Sequence, residues 1–238
     1  MEIFLQADTW IALLTLSFME IVLGIDNIIF ISLVAGKLPK EQQKKARIGG
    51  LSAALVMRIL LLLSITWIIG LTKPVLTFNE FELSWRDLIL IAGGIFLLIK
   101  STLEIHHKVE GKQEAEKQVK AINSFGYAIV QIVLLDIIFS FDSILTAIGL
   151  TDQLLLMIIA VVISIIVMMI FAKAVGDFVN EHPTIQILAL SFLILIGVML
   201  IVEGMHYHVP KGYIYFSVFF SLAIEMLNMR FRKKNASI

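Results

Sequence analysis

The sequence predicts an all-α membrane protein: seven transmembrane helices, arranged as two inverted three-helix repeats plus a seventh helix. Three observations carry this expectation. The 238-residue chain is 59% hydrophobic and only 16% charged, with a mean hydropathy of +0.94; a soluble domain carries about 45–50% apolar and about 25% charged residues. Seven apolar runs meet or approach the roughly 20 residues a helix needs to cross the hydrocarbon core. Two short acidic stretches also repeat each other at a 116-residue offset, each well inside an apolar run.

The runs fall at 10–36, 48–72, 87–105, 125–150, 154–176, 185–205 and 213–229. They are too long for barrel strands and lack their alternation. The stretch before the first run carries Glu2 and Asp8 and no Lys or Arg. It lacks the basic n-region of a cleaved signal peptide, so the first run is expected to be retained.

Basic residues set the orientation. The first connector holds Lys37, Lys40, Lys44, Lys45 and Arg47. The third holds Lys108, Lys112, Lys117 and Lys120, and the tail holds Arg230, Arg232, Lys233 and Lys234. The second has only Lys73 and Arg86, the fourth none, and the sixth only Lys211. Odd connectors are therefore expected in the cytoplasm, with the N-terminus outside and the C-terminus inside. The first span then runs inward and the fourth outward, so spans one to three and four to six form an inverted repeat. The expected organisation is a first repeat over 1–105, a charged cytoplasmic linker over 106–124, a second repeat over 125–208, and a seventh span with a basic tail over 209–238. Gly94-Ile-Phe-Leu-Leu-Ile resembles Gly197-Val-Met-Leu-Ile-Val and supports the pairing of spans three and six weakly. Spans two and five show no such match.

Net charge is zero, which removes nucleic acid as a favoured partner. Cysteine is absent, which excludes disulfides and thiolate metal sites.

The chemistry sits in the repeat. The first stretch is Glu20-Ile-Val-Leu-Gly-Ile-Asp26-Asn27, and the second is Asp136-Ile-Ile-Phe-Ser-Phe-Asp142-Ser143. Placing one Asp at a helix centre in the membrane costs about 2.5–3.5 kcal/mol. Four isolated ionised acids would cost on the order of 10 kcal/mol, so they must be paired, protonated or metal-bound. Glu20 and Asn27 are seven apart and share a helix face, as do Asp136 and Ser143. Gly24 and Ser140 occupy equivalent places, where a small residue permits close packing or local unwinding. The length of the first run fits a break or a tilt. Carboxylates, the Asn27 amide and the Ser140 and Ser143 hydroxyls, with Gln131 and Thr146 nearby, make an all-oxygen donor set. Hard divalent cations such as Mg²⁺, Ca²⁺ and Mn²⁺ prefer such donors. A structural role for one buried Asp is a common alternative; four acids in two matching contexts make it the weaker one.

Two further charged residues are candidates for support. Arg58 lies inside the second run and could neutralise an acid; the competing expectation is that it snorkels to the helix end. Glu203 lies near the outer end of the sixth run and could line an exit. The five histidines cluster at span ends, where interfacial placement explains them better than metal ligation.

The paired motifs Glu-x-x-Leu-Gly-x-Asp-Asn and Asp-x-x-Phe-Ser-x-Asp-Ser resemble those of the TerC family of bacterial membrane proteins. So do Gly93-Gly94-x-Phe-Leu-Leu, Gly176-Asp177-Phe178 and Val209-Pro-Lys-Gly-Tyr-Ile-Tyr-Phe216. The likeness runs from near residue 10 to near residue 230. It implies a multi-pass protein of the bacterial inner (plasma) membrane with seven spans, within the wider LysE-type exporter group. Some relatives add cytoplasmic CBS domains, and this chain is expected to be the short form without them. The resemblance implies manganese as cargo and a link to tellurite resistance. It carries over Glu20, Asp26, Asn27, Asp136, Asp142 and Ser143 as the metal site, and a shared fold does not fix the ion.

The expected function is a secondary transporter exporting a divalent cation, Mn²⁺ above others, by way of the carboxylate site. Asp26 and Asp142 are expected as central ligands, and Glu20 and Asp136 as ligands or carriers of counter-transported protons. No catalytic residue is expected, and no cofactor is bound permanently; the cation is cargo and the bilayer is the standing partner. An intramembrane aspartyl protease is the enzymatic alternative, since two Asp on two spans can share a proton, but the contexts Gly-Ile-Asp26 and Ser-Phe-Asp142 differ from those such enzymes carry. The third class is an assembly or metal-delivery partner of exported or membrane proteins that transports nothing itself.

Overall fold

The computed structural model describes residues 6–78, 81–110, 125–151 and 153–235; the side chains of Asp26, Asp142 and Lys211, and those of residues 76–78, 81 and 233–235, lie outside the description. The chain is helical nearly throughout. In order it forms α1 (Ala7–Gly36), α2 (Lys40–Leu63), a short α3 (Ile65–Gly70), a hairpin of β1 (Pro74–Phe78) and β2 (Phe81–Ser84), α4 (Trp85–Val109), α5 (Phe125–Leu150), α6 (Leu154–Glu181), α7 (Pro183–Gly204) and α8 (Lys211–Asn235). Seven of these helices are long and apolar enough to span a membrane.

Where helices begin and end departs from the apolar runs for physical reasons. α2 starts at Lys40, eight residues before its apolar run, because Gln42, Gln43, Lys44 and Lys45 are good helix formers. The second run itself is interrupted: α2 closes at Leu63, Ser64 leaves the helical conformation, and α3 resumes at Ile65. The hairpin in the second connector was not expected from the sequence. Its strands pair antiparallel, Thr77 against Glu82 and Phe78 against Phe81, with an irregularity between Pro74 and Leu76. Pro183 at the first turn of α7 sets the boundary with α6, since proline suits a first helical turn and biases the preceding residue away from the helix. Most of the expected linker, residues 111–124, lies outside the described residues; its first part continues α4 as far as Val109.

α1 is one continuous helix through Gly24. The expected alternative of local unwinding is therefore replaced by close packing. A Cβ at Gly24 would lie 2.5 Å from Sδ of Met168 on α6, so glycine is what admits that methionine.

The described residues fall into two compact units that interleave the sequence repeat. One gathers α1, α2, α3, the hairpin, α5 and α6; the other gathers α4, α7 and α8. Each therefore draws on both sequence halves. In the first unit α2 packs on α5, and α1 packs on both. In the second, Gly94 of α4 and Gly197 of α7 face each other. A Cβ on Gly94 would sit 2.5 Å from the Gly197 carbonyl oxygen, and one on Gly197 would sit 2.9 Å from the Gly94 carbonyl oxygen. These are the two glycines that the sequence alignment of spans three and six makes equivalent. Small residues permit this close backbone approach between membrane helices.

Large apolar side chains remain uncovered on the outer faces, among them Trp10, Phe18, Phe171, Phe216 and Phe219, as lipid contact requires. Replacing Gly94 with valine should cost about 1–3 kcal/mol through overpacking, while Gly70→Ala, where a Cβ meets nothing within 4 Å, should be neutral. Thermal unfolding of the two purified variants in detergent checks this; equal midpoints would contradict the packing described.

Candidate functional site

Glu20 lies near the middle of α1, Asp136 near the middle of α5, and Arg58 towards the end of α2. All three are buried, Arg58 with 2% of its surface exposed and each acid with 5%. Helical spacing explains how the polar residues converge. Glu20 and Asn27 share one face of α1, and Asp136, Ser140 and Ser143 share one face of α5.

Arg58 bridges the two acids. Its Nη1 donates to Glu20 Oε2 at 2.6 Å. Its Nη2 donates to Asp136 Oδ1 at 2.8 Å, and its Nε lies 3.1 Å and 3.2 Å from the two carboxylate oxygens of Asp136. This is the fork geometry that makes guanidinium–carboxylate pairs strong and directional. Asn27 Nδ2 donates to Asp136 Oδ1 at 3.3 Å, and the Ser140 hydroxyl donates to Asp136 Oδ2 at 3.2 Å. The Ser143 hydroxyl donates to the Ser140 carbonyl at 3.3 Å.

Asn27 of α1 meets Asp136 of α5, so a residue late in the first motif lies beside one early in the second.

The snorkelling expectation for Arg58 is set aside by its burial and its three-way bonding. A guanidinium does not lose its proton in proteins, so the cluster of Glu20, Asp136 and Arg58 carries one net negative charge when both acids are ionised. Removing one member of a buried ion cluster strands the others and costs about 3–5 kcal/mol.

The other candidates are distributed as follows. Asp26 and Asp142 sit on α1 and α5 next to Asn27 and Ser143, but their side chains lie outside the described residues. Gly24 packs against Met168. Gln131 donates to the Tyr127 hydroxyl, one turn away on α5. Glu203 belongs to the second unit, where it accepts a hydrogen bond from Arg86 at 3.1 Å. Among the described residues, no group of three or more His, Asp or Glu side chains could hold a metal ion.

Sequence reasoning missed two charged clusters. Arg47, counted among the basic residues of the first connector, is buried, with Nη1 3.8 Å from Asp177 Oδ1 and close against Gly176. The signal for it was Gly176-Asp177, which leaves room for a guanidinium. In the second unit, buried Asp87 is approached by Arg86 at 3.5 Å and by His206 Nε2 at 3.0 Å. His206 adopts a positive φ of 67° just past the end of α7, a left-handed conformation uncommon outside glycine, though histidine, asparagine and aspartate adopt it more often than other residues.

A family profile described as "Integral membrane protein TerC family" matches residues 5–237. This chain belongs to the TerC family. The match covers both acid motifs and every helix built above. The chain is 56% identical over 228 residues to the UPF0053 inner membrane protein YgdQ of Escherichia coli (strain K12), covering 96% of this chain and 95% of that protein. It is 50% identical to a UPF0053 protein of Haemophilus influenzae, covering 95% of each. It is 47% identical over 233 residues to the UPF0053 inner membrane protein YoaE of Escherichia coli (strain K12), covering 98% of this chain and 45% of that longer relative. No solved structure gives a significant match.

Asn27→Asp tests the local electrostatics of this TerC-family site. It puts a third carboxylate about where Asn27 now bonds Asp136, a like-charge contact worth on the order of 4 kcal/mol at an effective dielectric of 20. The variant should lose stability. A melting midpoint in detergent that matches wild type would contradict the contact.

Proposed function

We propose that this protein is a secondary transporter of the bacterial inner membrane that exports a divalent metal cation, Mn²⁺ above others, rather than an enzyme. The observation that carries the reading is the meeting of two matching acid motifs, one from each sequence half, deep inside a membrane-length helix bundle. Ionisable groups at that depth mark substrate or ion pathways, and repeat-built transporters place their sites where the halves meet.

Asp26 and Asp142 are the central ligands in this reading, each beside an oxygen donor, Asn27 or Ser143. Glu20 and Asp136 frame the site from the same helix faces. Oxygen-only donors suit a hard cation, and within that class the family resemblance favours manganese. The contact of Asn27, late in its motif, with Asp136, early in its own, supports the inverted repeat, and basic connectors support an outside N-terminus and a cytoplasmic C-terminus. Proton antiport fits a carboxylate site, where a metal and protons can exchange for each other.

Expression in a manganese-sensitive host provides the test. Wild type should lower cell manganese, and Asp26→Asn and Asp142→Asn should each raise it at least severalfold at equal membrane abundance. Variants that hold cell manganese at the wild-type level would overturn the reading. Copurification with an exported protein, together with unchanged manganese, would instead favour the assembly-partner class.

A further inference from the structure

We infer that Arg58 is a resident counter-cation for Glu20 and Asp136, a positioning residue that keeps these two acids out of the cargo's coordination shell and leaves the cargo's charge to Asp26 and Asp142. This rests on the transport reading for the word cargo; the pairing itself stands on geometry alone.

The oxygens of Glu20 and Asp136 that face the cluster are already spent. Three guanidinium nitrogens occupy them at 2.6–3.2 Å, and Asn27 and Ser140 donate to the two oxygens of Asp136 as well. A metal ion binding Asp136, or Glu20 through Oε2, would have to displace the guanidinium. Arg58 is buried on the face of α2 that packs on α5, and its charge is permanent. Once displaced it would stand unpaired in a dry interior, the most unfavourable state available to it. A proton landing on either acid would likewise strip Arg58 of a charge partner. The stable arrangement keeps the three side chains together through the transport cycle. Glu20 and Asp136 then hold α1, α2 and α5 in register around Arg58, while Asp26 and Asp142, one residue from Asn27 and Ser143, receive the cation.

Charge-balanced substitution separates this role from ligation. Arg58→Gln leaves two stranded carboxylates and should cut the yield of folded, monodisperse protein at least fivefold. Glu20→Gln combined with Arg58→Gln removes one charge of each sign, leaves one stranded carboxylate in place of two, and should raise yield at least twofold over Arg58→Gln alone. The purified double variant should bind Mn²⁺, by calorimetry in detergent, within about threefold of the wild-type affinity, whereas Asp26→Asn should weaken binding at least tenfold. Wild-type yield for Arg58→Gln alone would overturn the counter-cation role. A double variant that folds but loses manganese tenfold or more would overturn it too, by making Glu20 a ligand.

Should the double variant fail to fold, Arg58→Lys carries the test. It keeps the charge and loses the fork, so it should fold with a lower melting midpoint and unchanged manganese affinity; a tenfold shift in affinity would contradict the inference. If wild type binds and moves no metal, the transport reading fails, while the yield comparison of the single and double variants still decides the pairing.

Discussion

A guanidinium that cannot shed its proton, placed where water cannot reach it, must find carboxylates or the fold does not form. Arg58 meets that requirement with Glu20 from α1 and Asp136 from α5. The constraint acts in both directions, because each acid is as costly alone in hydrocarbon as the arginine is. One bridge thus ties three helices and offsets part of the electrostatic cost that the acidic repeat creates. What surrounds it follows: Gly50 of α2 leaves room for Ile132 of α5, Asn27 and Ser140 complete the bonding of Asp136, and Gly24 admits Met168 so that α1 and α6 close on each other.

The bridge reframes what four intramembrane acids do. Taken by composition they form a uniform oxygen-rich set. By contact, Glu20 and Asp136 are committed to a permanent cation; Asp26 and Asp142 stand next to Asn27 and Ser143 in the sequence. In the proposed transporter, such a fixed charge cluster would hold the geometry of the helices while other groups exchange the cargo.

The sequence made much of this legible, and the reasons are physical. Hydrocarbon thickness imposes a length on every span, so seven helices could be counted from apolar runs alone. The seven-residue spacing of Glu20 with Asn27, and of Asp136 with Ser143, put polar groups on shared faces, and those faces do meet. Other features depend on tertiary partners and left no local trace. Arg58 stood between pairing and snorkelling because a long flexible side chain can do either, and only the arrival of Glu20 and Asp136 decides. Arg47 looked like one more lysine-rich connector cation, yet it is buried beside Gly176 and Asp177. The hairpin at 74–84 broke no rule that the apolar pattern encodes, so that pattern did not reveal it. Gly94 and Gly197 were aligned by weak similarity, and their close contact is a tertiary feature that the alignment did not announce.

Metal flux by the purified protein tests the central claim most directly. Reconstituted alone into liposomes loaded with a manganese-sensitive fluorophore, wild-type protein should move Mn²⁺ across the bilayer at a rate well above protein-free liposomes, with Ca²⁺ or Mg²⁺ competing no better than Mn²⁺ itself. A rate equal to that of protein-free liposomes, from protein that remains folded and monodisperse, would contradict the account.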